Sequence, residues 1–164
     1  MTNFIRHGAL QLPLPDGWYD ASQVVAVGPD DGGFRPNIVV SLEPTPAGEP
    51  LEQFAARSLA AVRQATQEFA LGGERSATFG PHKGVLREYA FSLQGNRLAQ
   101  LQFLLVKDQV GYTFTYTQRP EKMAQTRSVA ENFFASVHLD SKSPAAPAAQ
   151  APAAKGGSKI DSLW

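Results

Sequence analysis

The stretch Leu98-Ala99-Gln100-Leu101-Gln102-Phe103-Leu104-Leu105-Val106-Lys107-Asp108-Gln109-Val110-Gly111-Tyr112-Thr113-Phe114-Thr115-Tyr116-Thr117-Gln118 reads as two adjacent strands joined at Lys107-Asp108-Gln109. Leu101, Phe103 and Leu105 alternate with Gln100, Gln102 and Leu104, and Tyr112, Phe114 and Tyr116 alternate with Thr113, Thr115 and Thr117. Successive strand residues point to opposite faces, so one face carries large apolar groups and the other carries amides, hydroxyls and a lone leucine. The first face is core. The second is polar but uncharged, whereas a face that only meets water normally carries Lys and Glu. Gln and Thr can hydrogen-bond a partner without the desolvation cost of a charge, so function is sought on that face.

Downstream, Pro120 opens a helix on which Met123, Ala130, Phe134 and Val137 form one stripe with Phe133 beside it. Upstream, Val85 to Leu93 and Glu74 to Phe79 read as strands, and Gly95-Asn96 suits a tight turn because both residues tolerate φ > 0. An antiparallel meander is therefore expected from Glu74 to Gln118. Before it, Leu51, Phe54, Ala55, Ser58, Val62, Ala65 and Phe69 follow helical spacing, with Leu59 off the stripe and Gly72-Gly73 closing the helical region. Gln23 to Val27 and Asn37 to Leu42 read as a hairpin across the loop Gly28 to Gly33, with Ile38, Val40 and Leu42 opposite Asn37, Val39 and Ser41. That loop lacks the order of a phosphate cradle, and Asp30 and Asp31 would repel phosphate. Nearer the start, Phe4 to Ile5 and Ala9 to Leu14 are short strands, and the turn Leu14-Pro15-Asp16-Gly17-Trp18 is expected to deliver Trp18 to the core.

With 164 residues, 43% hydrophobic and 10% aromatic, the chain suits one domain with a sizeable core. Fifteen basic residues balance fifteen acidic ones, which disfavours nucleic acid and anionic membranes as partners. Cysteine is absent, which removes disulfides, thiolate metal sites, a cysteine nucleophile and a lipidated anchor. Pro13, Pro15 and Asp16 interrupt any apolar signal region, and no run approaches the ~18 to 20 apolar residues of a membrane span, so a cytoplasmic location without direct membrane insertion is expected. From Ser141 to Trp164 the sequence is rich in Ala, Pro and Lys and lacks apolar periodicity, and is read as a disordered tail following a domain of residues 1–140. Its end, Ile160-Asp161-Ser162-Leu163-Trp164, is a small apolar group that suits either a docking peptide or a plain terminus. Removing the tail's three lysines and one aspartate leaves 12 basic and 14 acidic residues, a slightly acidic domain.

His7, His82 and His138 are not at ligand spacing, and no HExxH or GxSxG motif exists. No metal, no cofactor and no catalytic residue is assigned, and a binding module is favoured over an enzyme.

The order of the pieces is Leu12-Pro13-Leu14-Pro15-Asp16-Gly17-Trp18-Tyr19-Asp20-Ala21-Ser22, a strand pair, a proline-rich loop with the first helix, a meander, and a closing helix ending in Asn132-Phe133-Phe134-Ala135-Ser136-Val137. Over residues 2 to 139 this resembles the DcrB-like domain family, whose fold is similar to Mog1 and PsbP, and more closely its cytoplasmic branch, the Eag chaperones of type VI secretion. The resemblance implies an α+β fold with a single antiparallel, curved β-sheet and two main helices packed on one face. It implies a homodimeric, cytoplasmic chaperone that shields the hydrophobic N-terminal transmembrane segments of a PAAR-domain effector before loading on the VgrG spike. Family positions that receive client helices on a concave face match Gln100, Gln102, Leu104, Thr113, Thr115, Asn37, Val39, Ser41, Val25 and Leu59. The physics agrees, since a membrane helix held in water needs apolar burial together with the small or polar neighbours it meets in a membrane. Alternatives are a Mog1-like or DcrB-like module with a different protein partner, and a small-molecule-binding protein.

Overall fold

The computed structural model describes residues 4–18 and 20–139. The tail expected from Ser141, with Ile160, Leu163 and Trp164, and the boundary at residue 140 lie outside the described residues. Strands β1 (Phe4–His7) and β2 (Leu10–Pro13) form a hairpin of their own. Strands β3 (Gln23–Val27), β4 (Asn37–Pro44), β5 (Gln67–Phe79), β6 (His82–Leu93), β7 (Asn96–Lys107) and β8 (Val110–Gln118) form an antiparallel sheet in the order β3-β4-β8-β7-β6-β5. Helix α1 (Leu51–Ala65) lies between β4 and β5 in the chain, and helix α2 (Pro120–Ser136) follows β8. The expected single sheet is thus two sheets, because β1 and β2 pair only with each other among the described strands.

The meander has the expected pairing. Leu101 lies opposite Tyr116, Phe103 opposite Phe114 and Leu105 opposite Tyr112, and this apolar layer is closed by Met123, Ala130 and Phe134 of α2. Phe134 is fully buried, and its ring centroid lies 5.8 Å from that of Phe103 and 5.5 Å from that of Phe79. Burying such an aromatic contributes roughly 2–3 kcal/mol through removal of apolar surface from water.

The expectation of two helices on one face is corrected. Gly111 faces the same side as Thr113 and Thr115, and Phe54 of α1 packs so closely on it that an added Cβ would lie 2.5 Å from the phenyl ring. On the same side, the buried guanidinium of Arg87 donates from Nη2 to the carbonyl of Ala55 at 2.7 Å. Helix α1 therefore covers the amide face and α2 the aromatic face. The cause is legible in hindsight: Gly111 removes a side chain where Phe54 needs room, and Val85, Tyr89 and Phe91 supply β6 with a second apolar stripe on that side.

Four local expectations also shift. Helix α1 stops at Ala65, not near Phe69, because Thr66 is already extended and leads directly into β5. Gly72-Gly73 do not form a connection; they lie within β5 at a register shift between Leu71 and Gly73, where glycine tolerates the bulge. The β6–β7 turn is Gln94-Gly95, both at positive φ, one position earlier than Gly95-Asn96. Trp18 is 64% exposed, so it is not delivered to the core; the turn that carries it follows the β1–β2 hairpin and not a core strand.

Candidate binding trough on the amide and hydroxyl face

Register places the polar residues in rows across the sheet. One row runs Val27, Asn37, Thr117, Gln100, Tyr89; the next runs Val25, Val39, Thr115, Gln102, Arg87, Glu74; a third runs Gln23, Ser41, Thr113, Leu104, Val85. Directly opposed residues share a face, so all of these look toward the α1 side.

Hydrogen bonds run along the rows. The Tyr89 hydroxyl donates to Gln100 Oε1, and Gln100 Nε2 donates to Thr117 Oγ1 at 2.9 Å. In the neighbouring row Gln102 Nε2 donates to Thr115 Oγ1 at 3.0 Å, while Gln102 Oε1 finds no partner among the described residues. Asn37 Oδ1 likewise has none, although Asn37 is 4% exposed and Gln102 5%. An amide oxygen buried without a donor costs about 1–3 kcal/mol, so two of them on one face are a standing demand for donors.

Helix α1 covers only part of this face. Leu104, between Thr113 and Val85, is completely buried, which corrects the expectation that it lines an open surface. Gln102 and Asn37 are also buried. Thr113, Thr115, Gln100, Val39, Ser41 and Leu59 are half-buried, and Val25 is 55% exposed. The ten residues carried by the resemblance thus share one side of the molecule: nine on the sheet and Leu59 on α1. Helix α1 holds to Gly111 and Arg87, and beyond it the α1-side residues Val39, Ser41, Thr113 and Thr115 of β4 and β8 stay half-buried. This strip between α1 and the exposed edge strand β3 is the candidate trough, with β4 and β8 as its floor.

The anchor of α1 was not foreseen. The Arg87 side chain is wholly buried, its Nε lies 3.2 Å from a Glu74 carboxylate oxygen, and its Nη2 holds Ala55 of α1. Burial lowers its pKa, against which the Glu74 charge acts. Burial likewise pushes the Tyr89 phenol well above its usual range. Tyr89 and Arg87 were missed because Arg87-Glu88 in the middle of β6 obscured its facing. The in-phase set Val85, Arg87, Tyr89, Phe91 was the signal.

Among the described residues no group of His, Asp and Glu is arranged to hold a metal ion, and no helix is long and apolar enough to cross a membrane.

The sequence profile of the DcrB family matches residues 8–136. The chain belongs to the DcrB family. Its fold is similar to that of a Pseudomonas aeruginosa protein of unknown function, PA94, at TM-score 0.72 with 19% identity, over 86% of this chain and 99% of that one. It is also similar to the PsbP of the cyanobacterium Synechocystis sp. PCC 6803 at TM-score 0.52 with 12% identity, over 79% of this chain and 86% of that one. These identities carry the fold alone, and they bear out the PsbP-like architecture of this DcrB-family chain. No curated protein matches it in sequence.

Proposed function

We propose that this DcrB-family protein is a cytoplasmic chaperone and adaptor of the Eag type, which shields the N-terminal transmembrane helices of a PAAR-domain type VI secretion effector and assists its loading on the VgrG spike. The observation that carries the reading is the trough: an uncharged floor of Thr113, Thr115, Val39 and Ser41, with Gln102 Oε1 buried and unpartnered beside it on the same face. A helix taken from a membrane presents apolar surface together with small hydroxyl-bearing and amide side chains, and such a floor answers both without burying a charge.

A homodimer belongs to the same reading. Leu10, Leu12 and Trp18 on and after the hairpin are 58%, 49% and 64% exposed, and Val24, Val25 and Val27 on the edge strand 62%, 55% and 62%. An isolated hairpin is marginal and an apolar edge strand invites pairing, so a second copy would cover both and complete the open side of the trough.

The test uses positions that are open in the empty protein. Val25→Asp and Val27→Asp, at edge-strand positions 55% and 62% exposed on the α1 side, are expected to leave the melting temperature nearly unchanged. Each sets a charge against the apolar segment, and capture of a peptide carrying the client's hydrophobic segments should fall roughly a thousandfold. Folded variants that hold the peptide as well as wild type does would sink the reading.

A further inference from the structure

A cavity of about 520 Å³ opens at one end of the trough, between the loop from Gly32 to Phe34 and the β6–β7 turn at Gln94 and Gly95. It shares Asn37 and Thr117 with the trough floor. Asn37 Oδ1 is buried there without a donor. Thr117 Oγ1 accepts from Gln100 Nε2, which leaves its own O–H free to donate. Arg119, two residues beyond Thr117, also lines the cavity and is held in place: its guanidinium lies 5.8 Å from the Phe34 ring centroid, and Nη2 donates to the Asp31 carbonyl. Its Nε is shielded and has no hydrogen-bond acceptor, the Glu121 carboxylate being 3.7 Å away.

One cavity thus lacks both a donor and an acceptor. A peptide unit supplies the two together, as N–H and C=O. Inside a helix these groups are already bonded to each other, so the matching peptide units belong to non-helical chain. Resting on the chaperone reading, we propose that this cavity binds the main chain of the non-helical flank of the client's apolar segment, through Asn37, Thr117 and Arg119. The trough then takes the helix and the cavity takes the backbone that leaves it.

The experiment compares two synthetic peptides presented in mild detergent: an apolar helical segment alone, and the same segment with short Gly/Ser flanks. Wild type is expected to bind the flanked peptide about tenfold more tightly, the worth of one or two hydrogen bonds to buried groups. Asn37→Leu should bind both peptides alike, whatever its own level for the bare segment, with a melting temperature equal to or above that of wild type, because it removes an unsatisfied buried oxygen. Arg119→Gln, at a partly exposed position, is a second variant and should reduce the same advantage. Equal binding of both peptides by wild type, or an undiminished advantage in both variants, overturns the cavity assignment and leaves the trough standing. Binding of neither peptide overturns both.

Discussion

Strands β7 and β8 furnish both sides of the sheet, and the two sides are finished differently. Toward α2, Phe103 meets Phe79, Phe114 and Phe134 at ring-centroid distances of 5.0, 6.1 and 5.8 Å, and shape alone decides the packing. Toward α1, the same strands present Gln100, Gln102, Thr115 and Thr117, tied by directed hydrogen bonds, with unpartnered amide oxygens left at Gln102 and at Asn37 of the neighbouring β4. The first side is complete in the free chain; the second is complete only where α1 lies. A half-covered face with unmet polar groups costs stability, and a partner laid on it would offset that cost.

The contrast can be broken most severely from the closed side. Phe134→Ala is expected to cost about 3–5 kcal/mol in urea unfolding, since it empties a fully buried site. If the residual fold still captures the peptide with wild-type affinity, the two sides are functionally separate. A loss of affinity in molecules that remain folded would show them coupled.

Glu74→Gln attacks the wall of the open side. It leaves the buried Arg87 charge without its carboxylate, and a loss of about 3 kcal/mol is expected. Glu74→Gln with Arg87→Met removes the stranded charge and should recover most of that loss; a double variant no better than the single would mean that the loss lies in the missing Arg87–Ala55 hydrogen bond and not in an unpaired charge.

Alkaline titration probes the row that begins at Tyr89. Its folded pKa lies above the unfolded value, so its contribution is fully present below about pH 10 and is lost as pH rises beyond that. Stability should fall through that window, and Tyr89→Phe should flatten the slope while lowering the neutral-pH stability by about 1 kcal/mol through its lost bond to Gln100. An unchanged slope would place Tyr89 outside the linkage.

The smallest expected effect is at Gln102→Leu. Removing an unpartnered oxygen offsets the loss of the bond to Thr115, so denaturant midpoints should stay within about 1 kcal/mol of wild type while peptide capture weakens. A large destabilisation would mean that the amide serves the fold and not a partner.

The meander and the two faces of β7 and β8 were legible because period-two alternation there is strict and the intervening turn is short. The side taken by α1 was not, since an amphipathic stripe says that a helix packs on a sheet but not on which face. That choice rested on Gly111 and on the phase of Val85, Tyr89 and Phe91, both long-range matters. Trp18 misled because a large aromatic is ordinarily a core residue; here it is 64% exposed and follows a hairpin whose described residues are almost all exposed. At the site, residue types located the face, but burial of Leu104 and Gln102 depended on how far α1 reaches, which no local pattern encodes.

The turns joining β5 to β8 are two-residue connections, at Gly80-Pro81, Gln94-Gly95 and Asp108-Gln109, whereas Asn37 must find Thr117 from the far end of the chain. Loop closure makes such distant pairings slow, so the meander and its aromatic layer should assemble early and the β3–β4 border of the trough last. Pulse-labelled hydrogen exchange during refolding would show protection of β6 and β7 preceding that of β4, unless the long closure is itself the nucleating step. On the proposed chaperone reading, a newly made chain would then pass through a stage that is folded yet unable to hold a client, and its competence would be timed by one late strand pairing.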